Sequence, residues 1–167
     1  HFSFFLIQLC CSQANFKWEK IDSVNKTKAQ IYSDTKMFIA KTWRSSSSVI
    51  QNDDKEAGTI LVRGNSIQNI SFAMGQYVYV YNYDVTFQMK EGKYKLTLEN
   101  VSCESATMTG SRFSIVKIEP FDGDNCPETG TFGAPGLPKK KAIEMMNNLR
   151  SELHAIVDAY ALSIKTP

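Results

Sequence analysis

Gln76-Tyr-Val-Tyr-Val-Tyr-Asn-Tyr-Asp-Val-Thr-Phe-Gln-Met-Lys90, then Glu91-Gly92, then Lys93-Tyr-Lys-Leu-Thr-Leu-Glu-Asn-Val101: this stretch decides the fold. Its odd positions up to residue 89 are Tyr77, Tyr79, Tyr81, Tyr83, Val85, Phe87 and Met89, while its even positions turn polar from Asn82 onward. A period of two is the signature of a strand with one apolar face. Glu91-Gly92 is a tight turn, after which Tyr94, Leu96 and Leu98 alternate on the returning strand. The result is a long antiparallel hairpin whose apolar face needs a cover.

The cover is sought on either side of the hairpin. Upstream, Phe16 to Ile21 alternates as a first strand, and Thr27 with Gln30 has the spacing of a capping box. Ile31, Thr35, Phe38, Ile39 and Thr42 follow at helical spacing, so a helix is expected to about Trp43, flanked by Tyr32 and Trp43. Ser45 to Ser48 is a connector. Val49 to Arg63 contains two short strands around a polar turn ending at Gly58, and Gly64-Asn65-Ser66 is expected to break the second. Downstream, Arg112 to Ile118 adds a strand, and Glu119 to Pro138 is a loop. After Pro138, Ala142, Ile143, Met146, Leu149, Leu153, Ile156, Val157 and Tyr160 form the apolar stripe of a last helix. The order β-α-β-β-β-β-α, with one extra strand, predicts an α+β fold: an antiparallel sheet of four to six strands with two helices on one face.

Composition narrows the class. The chain has 167 residues, 43% hydrophobic and 22% charged, which excludes wholesale disorder. Lys and Arg number 19 against 17 Asp and Glu, and a net charge of +2 is too small to imply nucleic acid or an acidic membrane surface. Residues 1–14 contain no Lys, Arg, Asp or Glu. The apolar run from Phe2 to Cys11 is too short to span a bilayer but has the length of a signal-peptide core. Ser12 and Ala14 are the small residues a cleavage site needs, so the expectation is a signal peptide over 1–14, trimmed at its start, and a single domain over 15–167. A buried first strand is the alternative for this run. Cys10 and Cys11 raise a lipid-anchored variant, for which Leu9 is a poor preceding residue. Export leaves Cys103 and Cys126 in an oxidising compartment, where they either bridge or stand as separate thiols.

A family resemblance lies in the same region. Gln51-Asn-Asp-Asp-Lys-Glu-Ala-Gly-Thr-Ile60, preceded by Val49-Ile50 and by a helix containing Ile31-Tyr32, resembles domain-of-unknown-function family 4468. The Val78 to Leu98 hairpin, with its Glu91-Gly92-Lys93-Tyr94 turn, is similar too. The resemblance runs from about Phe16 to Val101, and Asp53, Asp54, Lys55, Glu56 and Gly58 form its motif turn. It implies a TATA-binding-protein-like fold and an exported protein of Bacteroides-type bacteria. It implies no activity, and the fold name carries no DNA binding with it.

Candidate chemistry is sparse. After export the chain keeps one histidine, His154, beside the apolar stripe of the last helix, with no second His for zinc and no nucleophile elbow. Asp53, Asp54 and Glu56 could act as acid and base, but adjacent strand residues diverge, and a solvated hairpin tip is the simpler expectation. Asp122-Gly-Asp-Asn125 opens like a calcium loop and then fails: Cys126 takes a ligand position, Pro127 stands where the turn glycine belongs, and Gly133 replaces the bidentate Glu. Gly130, Gly133 and Gly136 precede Lys139-Lys140-Lys141 at the helix start, where an acidic partner would relieve lysines set against the helix dipole. No nucleotide-loop motif accompanies them. Tyr77, Tyr79, Tyr81 and Tyr83 are either core under the helices or, on an open face, a row for stacking on a glycan.

The expectation is therefore a non-catalytic, exported binding module of the cell envelope, periplasmic or secreted. Its surfaces would be Tyr77, Tyr79, Tyr81, Tyr83 and Lys139, Lys140, Lys141, and its partner an envelope protein, peptide or glycan. No cofactor, metal, nucleic acid or transmembrane segment in the mature chain is expected. The alternative is a carrier holding a small apolar ligand between the sheet and the last helix.

Overall fold

The computed structural model describes residues 17–43, 46–72, 75–109, 112–120 and 139–165. The elements run β1 (Trp18–Ser23), α1 (Lys28–Thr42), the short α2 (Ser46–Val49), β2 (Ile50–Asp54), β3 (Thr59–Phe72), β4 (Gly75–Lys90), β5 (Lys93–Thr109), β6 (Arg112–Pro120) and α3 (Lys139–Lys165). All six strands join one antiparallel sheet. Its order is β1-β5-β4-β3-β2, and β6 also pairs with β5.

β5 holds the sheet together because its outer edge is divided. β1 pairs along Lys93 to Leu98, and β6 pairs along Ser102 to Thr109. Between the two partners, Asn100 and Val101 stand opposite the single residue Tyr83 of β4, and Asn100 takes φ 57°. This is a bulge with an asparagine in the left-handed region, which Asn tolerates better than most residues. Its extra residue switches the inward positions from Tyr94, Leu96 and Leu98 to Val101.

The two long helices, α1 and α3, cover one face. α1 starts at a complete capping box, with Gln30 Oε1 accepting from Thr27 N at 2.8 Å. It buries Ile31, Thr35, Phe38 and Ile39. α3 buries Met145, Leu149, Leu153, Val157, Tyr160, Ala161 and Ile164, so its inward stripe extends beyond the residues expected from spacing. Phe38, Phe87 and Tyr160 meet at centroid separations of 4.8–6.3 Å, which joins both helices to β4. Ion pairs from Lys20 to Asp158 (3.4 Å) and from Asp22 to Lys165 (2.6 Å) fasten β1 to the outside of α3.

Two expectations need correction. β3 is not broken at Gly64-Asn65-Ser66 but runs unbroken to Phe72. Gly64 is a close-approach position: a Cβ there would lie 2.6 Å from the Tyr83 ring and 2.8 Å from Trp43 Nε1. Likewise, the hairpin does not end near Val101, because the Asn100 bulge shifts the phase of β5 without stopping it.

Candidate functional site

The expected tyrosine surface is the first site to be corrected. Tyr79, Tyr81 and Tyr83 lie on the helix-covered face and are 8%, 0% and 2% exposed. The Tyr81 hydroxyl reaches Met145 Sδ at 3.6 Å, and burial pushes the Tyr83 hydroxyl up to about 12, opposed by a hydrogen bond from Trp43 and assisted by the Glu152 charge. These rings are core because α3 carries an apolar stripe long enough to cover them, so they cannot stack on a ligand. Tyr77 continues β4, and its side chain lies outside the described residues, as do those of Lys139, Lys140, Lys141, Cys103 and Cys126. The proposed signal peptide and the Glu119 to Pro138 loop also fall almost wholly outside them.

The motif turn is a structural latch. Asp53 accepts hydrogen bonds from Lys36 Nζ at 2.6 Å and from the Tyr32 hydroxyl, both on α1. Lys36 first and Tyr32 second hold the Asp53 carboxyl below the usual carboxylate range, while the bond to Asp53 and then burial push Tyr32 up to about 12. Asp54 turns elsewhere, its Oδ1 accepting from Ala57 N at 2.8 Å within the turn. The Glu56 carbonyl accepts from Lys28 Nζ. Gly58, at φ 71°, passes its carbonyl to Met89 N at 2.7 Å, and a Cβ would lie 2.5 Å from the Met89 carbonyl oxygen. The turn thereby ties α1 to β4. Asp53 and Asp54 serve different partners and do not converge as an acid and base. His154 is exposed on α3 with its ring edge-on to Trp18. Among the described residues, no group of three or more His, Cys, Asp and Glu side chains could hold a metal.

The uncovered face of the sheet carries the other chemistry. Beside the Asn100 bulge lies a recess of about 440 Å³ lined by Arg63, Asn82, Tyr83, Asp84, Asn100 and Ser102. Asp84 is only 7% exposed and needs donors. It receives Arg63 Nε at 2.8 Å, Arg63 Nη2 at 3.3 Å and Asn100 Nδ2 at 3.1 Å. Arg63 and Asp84 are register partners on β3 and β4, which sets the fork opposite the carboxylate. The bulge supplies the third donor by placing Asn100 at the recess. None of these residues stands out in the sequence; the one signal is the lost alternation between Leu98 and Val101.

Between the sheet and α3, the described side chains interdigitate: Leu149, Leu153, Val157 and Tyr160 pack with Tyr81, Phe87 and Tyr94 in one core. Ser66 Oγ donates to Glu152 Oε2 at 2.6 Å, which pins β3 beneath α3.

A single antiparallel sheet with helices on one face and a recessed open face defines an α+β domain of TBP-like fold. The family described as "Domain of unknown function (DUF4468) with TBP-like fold" matches residues 18–104, more than half of the chain, and the chain belongs to that family. A DUF4468 family protein from Bacteroides ovatus ATCC 8483 is similar at TM-score 0.62 and 15% identity, covering 92% of this chain and 88% of that one. A TBP-like protein from Parabacteroides distasonis ATCC 8503 is similar at TM-score 0.58 and 12% identity, covering 89% of this chain and 94% of that one. At these identities the likeness is one of fold. No curated protein matches the chain. Among the described residues, no helix is long and apolar enough to cross a membrane.

Proposed function

We propose that this chain is an exported, non-catalytic binding module of the cell envelope, and that it takes its ligand on the open sheet face at the Arg63–Asp84–Asn100 recess. The observation that carries the reading is a nearly buried carboxylate, neutralised by its own arginine, at a recess of about 440 Å³ otherwise lined by amide and hydroxyl groups. A charge-balanced cluster rich in both donors and acceptors suits a neutral, hydroxyl-bearing ligand, and a short glycan matches it better than an ion does. Asp84 already accepts from three donor atoms, so it positions groups and does not abstract protons. Export is supported by the uncharged apolar run that ends at Ser12-Gln13-Ala14.

The test is an amide-resonance titration of the folded domain with soluble N-acetylhexosamine disaccharides. Saturable shifts are expected at Arg63, Asn82, Asn100 and Ser102, and Arg63→Ala should weaken them by roughly tenfold, the loss typical of one good polar contact. Shifts confined to α3 and the covered face of β4 would replace this reading with that of an apolar-ligand carrier.

A further inference from the structure

A second recess on the open face, of about 260 Å³, lies at the β4–β5 turn and is lined by Ile21, Gln88, Lys90, Lys93, Tyr94 and Lys95. Lys90 and Lys93 face each other in register across the two-residue turn, a like-charged pairing that is destabilising by itself. Among the described residues, no carboxylate neutralises them. Glu91, which lies between them in sequence, is drawn away to cap α1, its Oε2 accepting from Lys28 N at 3.0 Å. Glu19 is committed to Lys95 at 2.8 Å and to Lys17 at 3.1 Å. Lys90 and Lys93 have no carboxylate partner among the described residues. The turn is nevertheless rigidly placed: Gly92 N donates to the Lys26 carbonyl at 3.1 Å, and Val24 N donates to the Gly92 carbonyl at 2.9 Å. Beside the lysines, Ile21 is 68% exposed on a strand where polar side chains would be expected to meet water.

We propose that this recess docks an acidic segment of a partner polypeptide. A Glu or Asp carboxylate would sit among Lys90, Lys93 and Lys95, and an adjacent apolar side chain would cover Ile21. Charge complementarity selects the acid, since an incoming carboxylate relieves the repulsion between Lys90 and Lys93. Concavity selects a projecting side chain over a flat lipid surface, and the exposed Ile21 selects a neighbour with apolar area over a bare ion. The site is separate from the Arg63 recess and stands whether or not that one binds a glycan.

The probe is the peptide acetyl-Glu-Leu-Glu-Leu-Glu-amide, titrated into the folded domain and followed by amide resonances, with its Gln-for-Glu twin as control. Saturable shifts at Ile21, Lys90, Lys93 and Lys95 are expected, weakening as salt rises. The Gln twin and the Lys90→Glu/Lys93→Glu variant should each bind at least roughly tenfold more weakly. That variant should leave the sugar titration at Arg63 unaltered, which separates failure here from failure of the function proposed above. Should the double variant unfold, Lys93→Gln and Ile21→Ser, each alone, read the same loss. Absence of saturable binding overturns the proposal. So does inorganic phosphate that binds as tightly as the peptide and displaces it, or recruitment to anionic phosphatidylglycerol vesicles with no response to the peptide.

Discussion

Tyr94 and Tyr160 meet edge-on with ring centroids 5.0 Å apart in the core, yet their hydroxyls are treated differently. Thr35 Oγ1 lies 2.9 Å from the Tyr160 hydroxyl and 2.7 Å from the Ile31 carbonyl oxygen. A carbonyl can only accept, so the Thr35 proton goes to Ile31 and Tyr160 donates to Thr35. The Tyr94 hydroxyl has no partner among the described residues, although the residue is 1% exposed. A buried hydroxyl without a partner costs about 1–3 kcal/mol, while a satisfied one contributes about 1 kcal/mol. Tyr94→Phe is therefore expected to raise the unfolding free energy by about 1 kcal/mol and Tyr160→Phe to lower it by a similar amount. Urea denaturation of the two variants beside the parent chain checks the pair, and equal losses in both would show that Tyr94 does find an acceptor. This asymmetry cannot be read from the sequence, where both residues are simply apolar-face tyrosines.

At the scale of elements, β3 and β5 show what was legible and what was not. The β4–β5 hairpin was legible because apolar alternation is continuous on both sides of Glu91-Gly92, and the capping box of α1 was legible because its parts are local. Gly64 was not. A glycine within a strand pattern fits either a break or a close approach, and the choice depends on Tyr83 and Trp43, which are distant in sequence. Asn100 hid the rest of β5 for a related reason: a bulge and a strand end both interrupt alternation. The open-face site is not legible in the sequence because Arg63, Asp84 and Asn100 come from three strands and are joined only by register and that bulge. The tyrosine row had the right periodicity, but periodicity does not say which face of a sheet is covered. Gly64→Ala is expected to cost about 2 kcal/mol through overpacking. In a Trp43→Phe background, which removes the Nε1 that crowds the new methyl, the cost should be smaller than additivity requires. Full additivity in this cycle would mean that the Tyr83 ring alone makes the contact.

Among the described residues, the groups with shifted titration fall mainly into paired surface carboxylates and buried tyrosines, and stability should follow pH accordingly. Carboxylates at the periphery are paired with lysines: Glu19 with Lys95 and Lys17, Asp22 with Lys165, and Asp53 with Lys36 and Tyr32. Each is held below the ordinary carboxylate range, so the unfolded chain takes up protons first as pH falls. Their stabilisation is present above an ordinary carboxyl value of roughly 4 and is lost as pH drops through the folded values. These pairs are exposed and individually weak, so the acid limb should be shallow. Asp53→Asn should lower stability by about 0.5–1 kcal/mol near neutrality, with the deficit closing in acid. The interior behaves oppositely. Burial raises Tyr83 and Tyr94 to about 12 and raises Tyr160 too, assisted for Tyr94 by Asp22 and opposed for Tyr160 by its bond to Thr35. A raised folded value favours the neutral phenol in the fold, so that stability is complete below an unfolded tyrosine value of about 10 and is lost as pH rises through the folded values. The two limbs predict a urea midpoint that is level from about pH 5 to 9, sags gently in acid and falls steeply above about pH 10. Phenolate absorbance for the buried tyrosines should then rise together with loss of helix, in one cooperative step. Phenolate that forms while the helix signal stays intact would mean that solvent reaches the covered face of β4, and with it that α3 is not the closed lid its packing describes.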